Sequence, residues 1–156
     1  MLINYTTMIQ RIQTIYLLLS IALMVALNWL PLTTFGELNF FTYGISATVG
    51  ECALAITTYP IAITVIASTI LALIAIFMYK NRMKQVKVVS ISIFLDIMFY
   101  PIFAAYMWYT KDLLNNINLS LSFALLIPIA SIILKFLATK AIKADEKLVR
   151  SADRIR

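Results

Sequence analysis

Four stretches of this chain, at about 12–32, 59–79, 88–109 and 119–137, run for some twenty residues with no more than one charge in each. A helix rises about 1.5 Å per residue and a bilayer's hydrocarbon is about 30 Å thick, so about twenty apolar residues is the length of a membrane span. Four such stretches in 156 residues leave no room for a second domain. The composition agrees, with 62% hydrophobic and 13% charged residues against about 45–50% and about 25% in a soluble domain. The expected fold is an all-α integral membrane protein, a bundle of four transmembrane helices. A loop at 33–58 joins the first two spans and a tail at 138–156 follows the last.

Lysine and arginine collect in short cytoplasmic loops, and here they divide sharply. Arg11 precedes the first span; Lys80, Arg82, Lys84 and Lys87 crowd the 80–87 connection; Lys135, Lys140, Lys143, Lys147, Arg150, Arg154 and Arg156 end or follow the fourth. Only Lys111 falls on the opposite face. Both termini are therefore expected in the cytoplasm, in a multi-pass membrane protein. Trp29, Tyr59, Trp108 and Tyr109 then mark the outer interface and Tyr16, Phe77 and Tyr79 the inner one. A cleaved signal is disfavoured, because Asn28-Trp29-Leu30-Pro31 offers no small-residue cleavage site. Met8 opens a run that reads like a start, which leaves the native start between Met1 and Met8.

Proline placement refines the spans. Pro31 closes the first and Pro60 opens the second, where a missing N–H is harmless. Pro101 and Pro128 fall inside the third and fourth spans and are expected to kink them. In the outer loop, Leu38 to Tyr43 is β-prone and precedes Gly44, which suggests a short hairpin over the bundle end.

The chemistry available is narrow. With no histidine and a single cysteine, imidazole metal or haem sites, histidine-dependent triads and paired thiols are excluded. Cys52 has no neighbouring activator and reads as an inert thiol. No cofactor or metal is expected, and no enzyme, because no spacing assembles nucleophile, base and orienter.

Asp96 is the outlier. It lies nine residues past Lys87, about 13 Å inside the inner interface. A carboxylate there costs about 2.5–3.5 kcal/mol on insertion scales and must find a partner or a proton. Lys135, about 7 Å inside, is the natural partner, and Ser92 and Tyr100 flank Asp96 on its own helix face. One reading makes Asp96 a packing residue; the other makes it a proton or cation site in a small transporter or channel component. The spans carry no glycine, no second acid and no repeat of the kind that builds a substrate site, which favours the first.

In the tail, Ala141, Ala144, Leu148, Ala152 and Ile155 recur at helical spacing opposite Lys143, Lys147, Arg150 and Arg154. This predicts a short amphipathic cytoplasmic helix, continuing from or bent off the fourth span. Its basic face, with Arg11, Lys80, Arg82 and Lys84, suits lipid headgroups of the bilayer or a membrane or cytosolic protein partner. The interleaved acids Asp145, Glu146 and Asp153 favour the partner. Nucleic acid is not expected, since topology alone explains the charge, and homo-oligomerisation is open.

Three stretches carry a resemblance: 8–19 (MIQRIQTIYLLL), 79–85 (YKNRMKQ) and 145–156 (DEKLVRSADRIR). Together they resemble an uncharacterised family of small four-span membrane proteins from the Bacteroidota, a domain of unknown function, over the chain from Met8 onward. The resemblance implies a four-helix inner-membrane protein with both ends inside, and implies no activity, ligand or catalytic residue. The expected function is that of a non-enzymatic accessory or scaffolding subunit acting through its basic cytoplasmic face.

Overall fold

The computed structural model describes residues 3–35, 38–47, 58–79, 81–113 and 119–153, with side chains at 12–34, 39–44, 58–79, 81–110, 120–149 and 151. Helix α1 (Ile3–Ala26) tightens into a 3-10 turn, Leu27–Trp29. Leu30, forced out of the helical region by Pro31 behind it, is extended at φ −102°, ψ 137°. Three strands follow, β1 (Thr33–Phe35), β2 (Leu38–Phe40) and β3 (Ile45–Ala47). Then come α2 (Tyr59–Phe77), α3 (Arg82–Leu113), β4 (Leu119–Leu121), a 3-10 turn at Phe123–Leu125 and α4 (Leu126–Asp153). All four helices contain segments long and apolar enough to cross a membrane.

The helices run alternately up and down, each packed on its sequence neighbours, with α1 closing the ring against α4. Buried positions recur every three or four residues: 13, 17, 20 and 24 in α1 and 27 in the turn after it; 61, 65, 68, 72 and 75 in α2; 85, 89, 92, 96, 99 and 103 in α3; 128, 131, 135, 138, 142 and 145 in α4. That spacing turns one stripe of each helix, its seam, toward the others. The residues turned outward are apolar, among them Ile63, Ile66, Ile70 and Leu73 on α2, Ile91, Phe94 and Ile97 on α3, and Ile129, Ile133 and Phe136 on α4. Meanwhile Gln13, Ser20, Ser68, Gln85, Ser92, Asp96, Ser131, Lys135 and Asp145 are buried. A surface this apolar around a seam this polar reverses the arrangement of a water-soluble bundle.

One end is closed by a sheet of order β3-β2-β1-β4, antiparallel throughout. Thr33 pairs with both Phe40 and Leu121, and its hydroxyl donates to the Ser120 carbonyl at 2.7 Å. Thr58 donates to the Thr42 carbonyl at 2.9 Å, tying the start of α2 to the sheet. Fully buried Phe40 meets Phe103 edge to face, with centroids 5.9 Å apart, and Phe103 stacks on Phe99. Met24, Leu27, Leu32, Ile61, Val65 and Ala124 complete this core. A second core, Leu17, Ala75, Val89, Ala138 and Ile142, fills the end that carries the basic residues.

The fold is all-α as expected, and the short hairpin expected over the bundle end is present as β2 and β3, extended by β1 and β4 into a four-stranded sheet. Several expectations change. Residues 119–121, assigned to the fourth span, form β4 because β1 would otherwise be an open edge; α4 begins at Leu126. Ser122 caps the intervening turn by accepting from the Ala124 N–H at 3.3 Å. Pro128 therefore falls in the first turn of α4, where its absent N–H has no helical acceptor to lose, and not in the helix interior as expected. Pro101 does lie inside α3. Of the two courses open to the tail helix, continuing from the fourth span or bending off it, the first is seen: α4 runs unbroken to Asp153. Its apolar stripe is also shifted. Ala144 and Leu148 are exposed while Ile142 and Asp145 are buried, because continuation from Lys135 and Ala138 sets the phase of the face.

Candidate functional site

At mid-bundle, three helices place polar side chains on the seam at one level. Ser68 is midway along α2, Ser92 and Asp96 lie one turn apart on α3, and Ser131 and Lys135 one turn apart on α4. Asp96 and Lys135 are essentially without solvent exposure. The Lys135 Nζ donates to Asp96 Oδ2 at 2.6 Å and to the Ser68 Oγ at 2.6 Å. Ser131 donates to the same carboxylate oxygen at 3.0 Å, and Ser68 donates to Oδ1. Ser92 donates to the Ser68 carbonyl at 2.9 Å, and the two hydroxyls lie 3.1 Å apart.

The arrangement solves an electrostatic problem. A charge moved into a low-dielectric interior loses several kcal/mol of hydration, and only a close partner with further hydrogen bonds offsets that loss. Both Asp96 oxygens accept charge-assisted or hydroxyl hydrogen bonds, and the lysine stem spans the depth between its own turn and the acid. Sequence depth counting placed the two residues about 6 Å apart along the normal; the structure shows Lys135 reaching inward. Tyr100, expected beside Asp96, instead donates to the Leu125 carbonyl at 2.9 Å, bracing the α3–α4 contact nearer the sheet. Ser68 and Ser131 were missed as partners. Their signal was available in principle: each is a hydroxyl on a 3-4 apolar seam, but no sequence rule aligns the levels of three different helices.

The basic end holds a second charge pair. Arg82 donates to Asp145 Oδ2 at 3.1 Å and to the Asp145 backbone carbonyl at 3.3 Å. Asp145 is 1% exposed, so it is a bundle residue and not an acid offered to a partner. Arg82, read as a contact residue, is thus half committed to the interior. Asp145 Oδ1 and the Gln13 Nε2 find no hydrogen-bond partner among the described residues.

Lys84, Lys143 and Lys147 are exposed, and Lys140 sits over the Phe136 ring at 5.2 Å. Lys80 and Arg154 lie outside the described residues, as does Cys52; Arg11 and Arg150 lie on helical backbone with their side chains outside them. Among the aromatics, Trp29, Tyr59, Trp108 and Tyr109 are exposed toward the sheet end, and Phe77 and Tyr79 toward the other. Tyr16 instead packs against the second core. Among the described residues no group of His, Cys, Asp or Glu could hold a metal ion.

Compared with known proteins, the chain matches no curated protein and no solved structure. It does match a family model, a domain of unknown function, DUF4293, over residues 9–155. With nearly its whole length covered, the chain belongs to the DUF4293 family.

Proposed function

We propose that this is a non-enzymatic accessory or scaffolding subunit of the inner membrane, with four spans, both termini in the cytoplasm, and its working surface at the basic end. The observation that carries the proposal is the course of α4, which runs on past Asp145, its last buried described residue. It continues from the buried Asp145 to Asp153, about 12 Å further at about 1.5 Å per residue. The positive-inside rule assigns that end to the cytoplasm. At the same end α1 begins at Ile3, ten residues before its buried Gln13, so both chain ends and the exposed Lys84, Lys143 and Lys147 lie on one side of the bundle. The interior supports the same reading. Asp96 is neutralised by Lys135 and held by two hydroxyls, which is what a fixed packing element requires.

Native co-purification in mild detergent tests the proposal. A fixed-stoichiometry partner should appear with the full chain and be lost from a chain ending at Leu148. That truncation keeps the Arg82–Asp145 pair and removes only residues 149–156. Recovery of the chain alone, or of the same partner with the truncated chain, overturns it.

A second reading, a small transporter or channel component, draws on the connected Ser92, Ser68, Asp96 and Ser131 hydrogen bonds at mid-bundle. It requires a proton or cation flux in proteoliposomes that Asp96→Asn abolishes while the protein stays folded.

A further inference from the structure

Between the first turns of α3 and the last third of α4 lies a cleft of about 310 Å³, lined by Arg82, Met83, Val86, Ile142, Lys143, Glu146 and Lys147. We propose that this cleft is a binding site for one anionic phospholipid of the adjoining leaflet. Its phosphodiester sits among Arg82, Lys143 and Lys147, and an acyl chain lies along Met83, Val86 and Ile142. The proposal rests on the helices spanning a bilayer and not on the subunit reading.

Position is the first argument. Along α3 the exposed residues change from Ile97, Phe94 and Ile91 to Lys87 and Lys84; along α4 they change from Ile133 and Phe136 to Lys140, Lys143 and Lys147. The cleft lies where the outer surface passes from apolar to basic, which is the headgroup level. Its floor is apolar, with Ile142 fully buried, and its volume is in the range of ordinary ligand sites. A soluble anion has no use for such a floor, whereas a lipid uses both halves.

Charge is the second. Arg82, Lys143 and Lys147 face Glu146 in the lining, and Asp145 behind Arg82 already answers one cation. One positive charge is left over, which matches a single phosphodiester and exceeds what a zwitterionic lipid neutralises. Asp145 does more than balance the count. By gripping Arg82 through both its carboxylate and its carbonyl, it holds the guanidinium in place, so less ordering remains to be done when a phosphate arrives. Basic pockets between membrane helices are a recurring way of holding anionic headgroups.

The test is native mass spectrometry of the full chain in detergent, titrated with phosphatidylglycerol, phosphatidylethanolamine or phosphatidylcholine of identical acyl chains. One phosphatidylglycerol should bind at least ten-fold more tightly than either zwitterionic lipid. The Lys143→Ala/Lys147→Ala variant, altered only at exposed positions, should lose that preference. Lys84→Ala/Lys87→Ala, with the same charge change on the opposite side of α3's first turns, should keep it within two-fold. Val86→Trp, which fills the floor and leaves every cation in place, should also reduce binding ten-fold. Equal binding of the three lipids overturns the site, as does equal loss in both lysine variants, which would signify diffuse surface attraction. Displacement of the lipid by millimolar glycerol 3-phosphate overturns the lipid assignment in favour of a soluble phosphate.

Discussion

The two ends of the bundle are built on different principles. At the sheet end, Phe40 drops into the ring of helices against Phe103 and Phe99, and threonine hydroxyls at 33 and 58 are spent on backbone carbonyls. At the basic end, the core is smaller aliphatic residues, a buried acid is gripped by an arginine less than a quarter exposed, and a cleft opens between α3 and α4. The first end is closed by packing; the second keeps polar capacity beyond what the chain itself uses. Aromatic packing and buried charge are thus separated along the bundle axis, with the Asp96–Lys135 layer between the two ends.

The largest effect should come from breaking that dividing layer. Lys135→Met leaves Asp96 buried without its cation, and should cost about 3–5 kcal/mol, since removing one member of a buried pair strands the other. Unfolding measured by steric trapping in bicelles reads this directly. Adding Asp96→Asn to Lys135→Met should recover most of the loss, because an uncharged pair carries no such penalty. If the double variant is no more stable than the single one, the pair is not the unit of stability.

Phe40→Ala probes the closed end. It deletes the aromatic plug from a fully buried site, with an expected loss of about 3–5 kcal/mol from transfer and cavity terms. The loss should leave the phospholipid preference of the other end unchanged. Coupling between the two readouts would show that the ends are not independent.

Arg82→Ala should cost less, about 1–3 kcal/mol, from leaving the Asp145 carboxylate without its partner. Its arginine is 23% exposed, so water reaches the pair more readily than it reaches Lys135. Arg82→Ala paired with Asp145→Asn should be milder than Arg82→Ala alone in the same unfolding assay. Ser131→Ala, which removes one of several hydrogen bonds to Asp96, should cost about 1 kcal/mol. Last, Pro128→Ala should cost about 0.5–1 kcal/mol from lost chain stiffness at a buried seam position, with no hydrogen bond regained in the first turn. A large effect there would place it functionally inside the helix, as sequence alone suggested.

Much of the helical framework was legible because hydrophobic length is a local property. Twenty apolar residues in a row identify a span wherever they occur, and Pro60 marked the start of α2 without reference to any neighbour. The pairing of Asp96 with Lys135 was also within reach, since a midplane acid admits few partners in a chain with so few charges. Where the reading failed, the missing information was phase or level between elements. The tail stripe was drawn through Ala144 and Leu148 because they are apolar; the true seam passes through Asp145, whose burial depends on Arg82 arriving from another helix. Residues 119–121 looked like the start of a span, and only the open edge of β1 made them a strand.

The sequence by itself determined that there are four helices long and apolar enough to cross a membrane, where the basic charge lies, and that Asp96 must be answered from within the bundle. These follow from hydration free energy, which each segment carries with it regardless of its surroundings. Only the tertiary structure decided that Ser68 and Ser131 share in answering it, that Asp145 belongs to the core, and that a basic cleft with an apolar floor opens beside it. Each of those depends on the relative height and rotation of separate helices. Such alignment is settled by the packing of the whole ring, and no single segment encodes it.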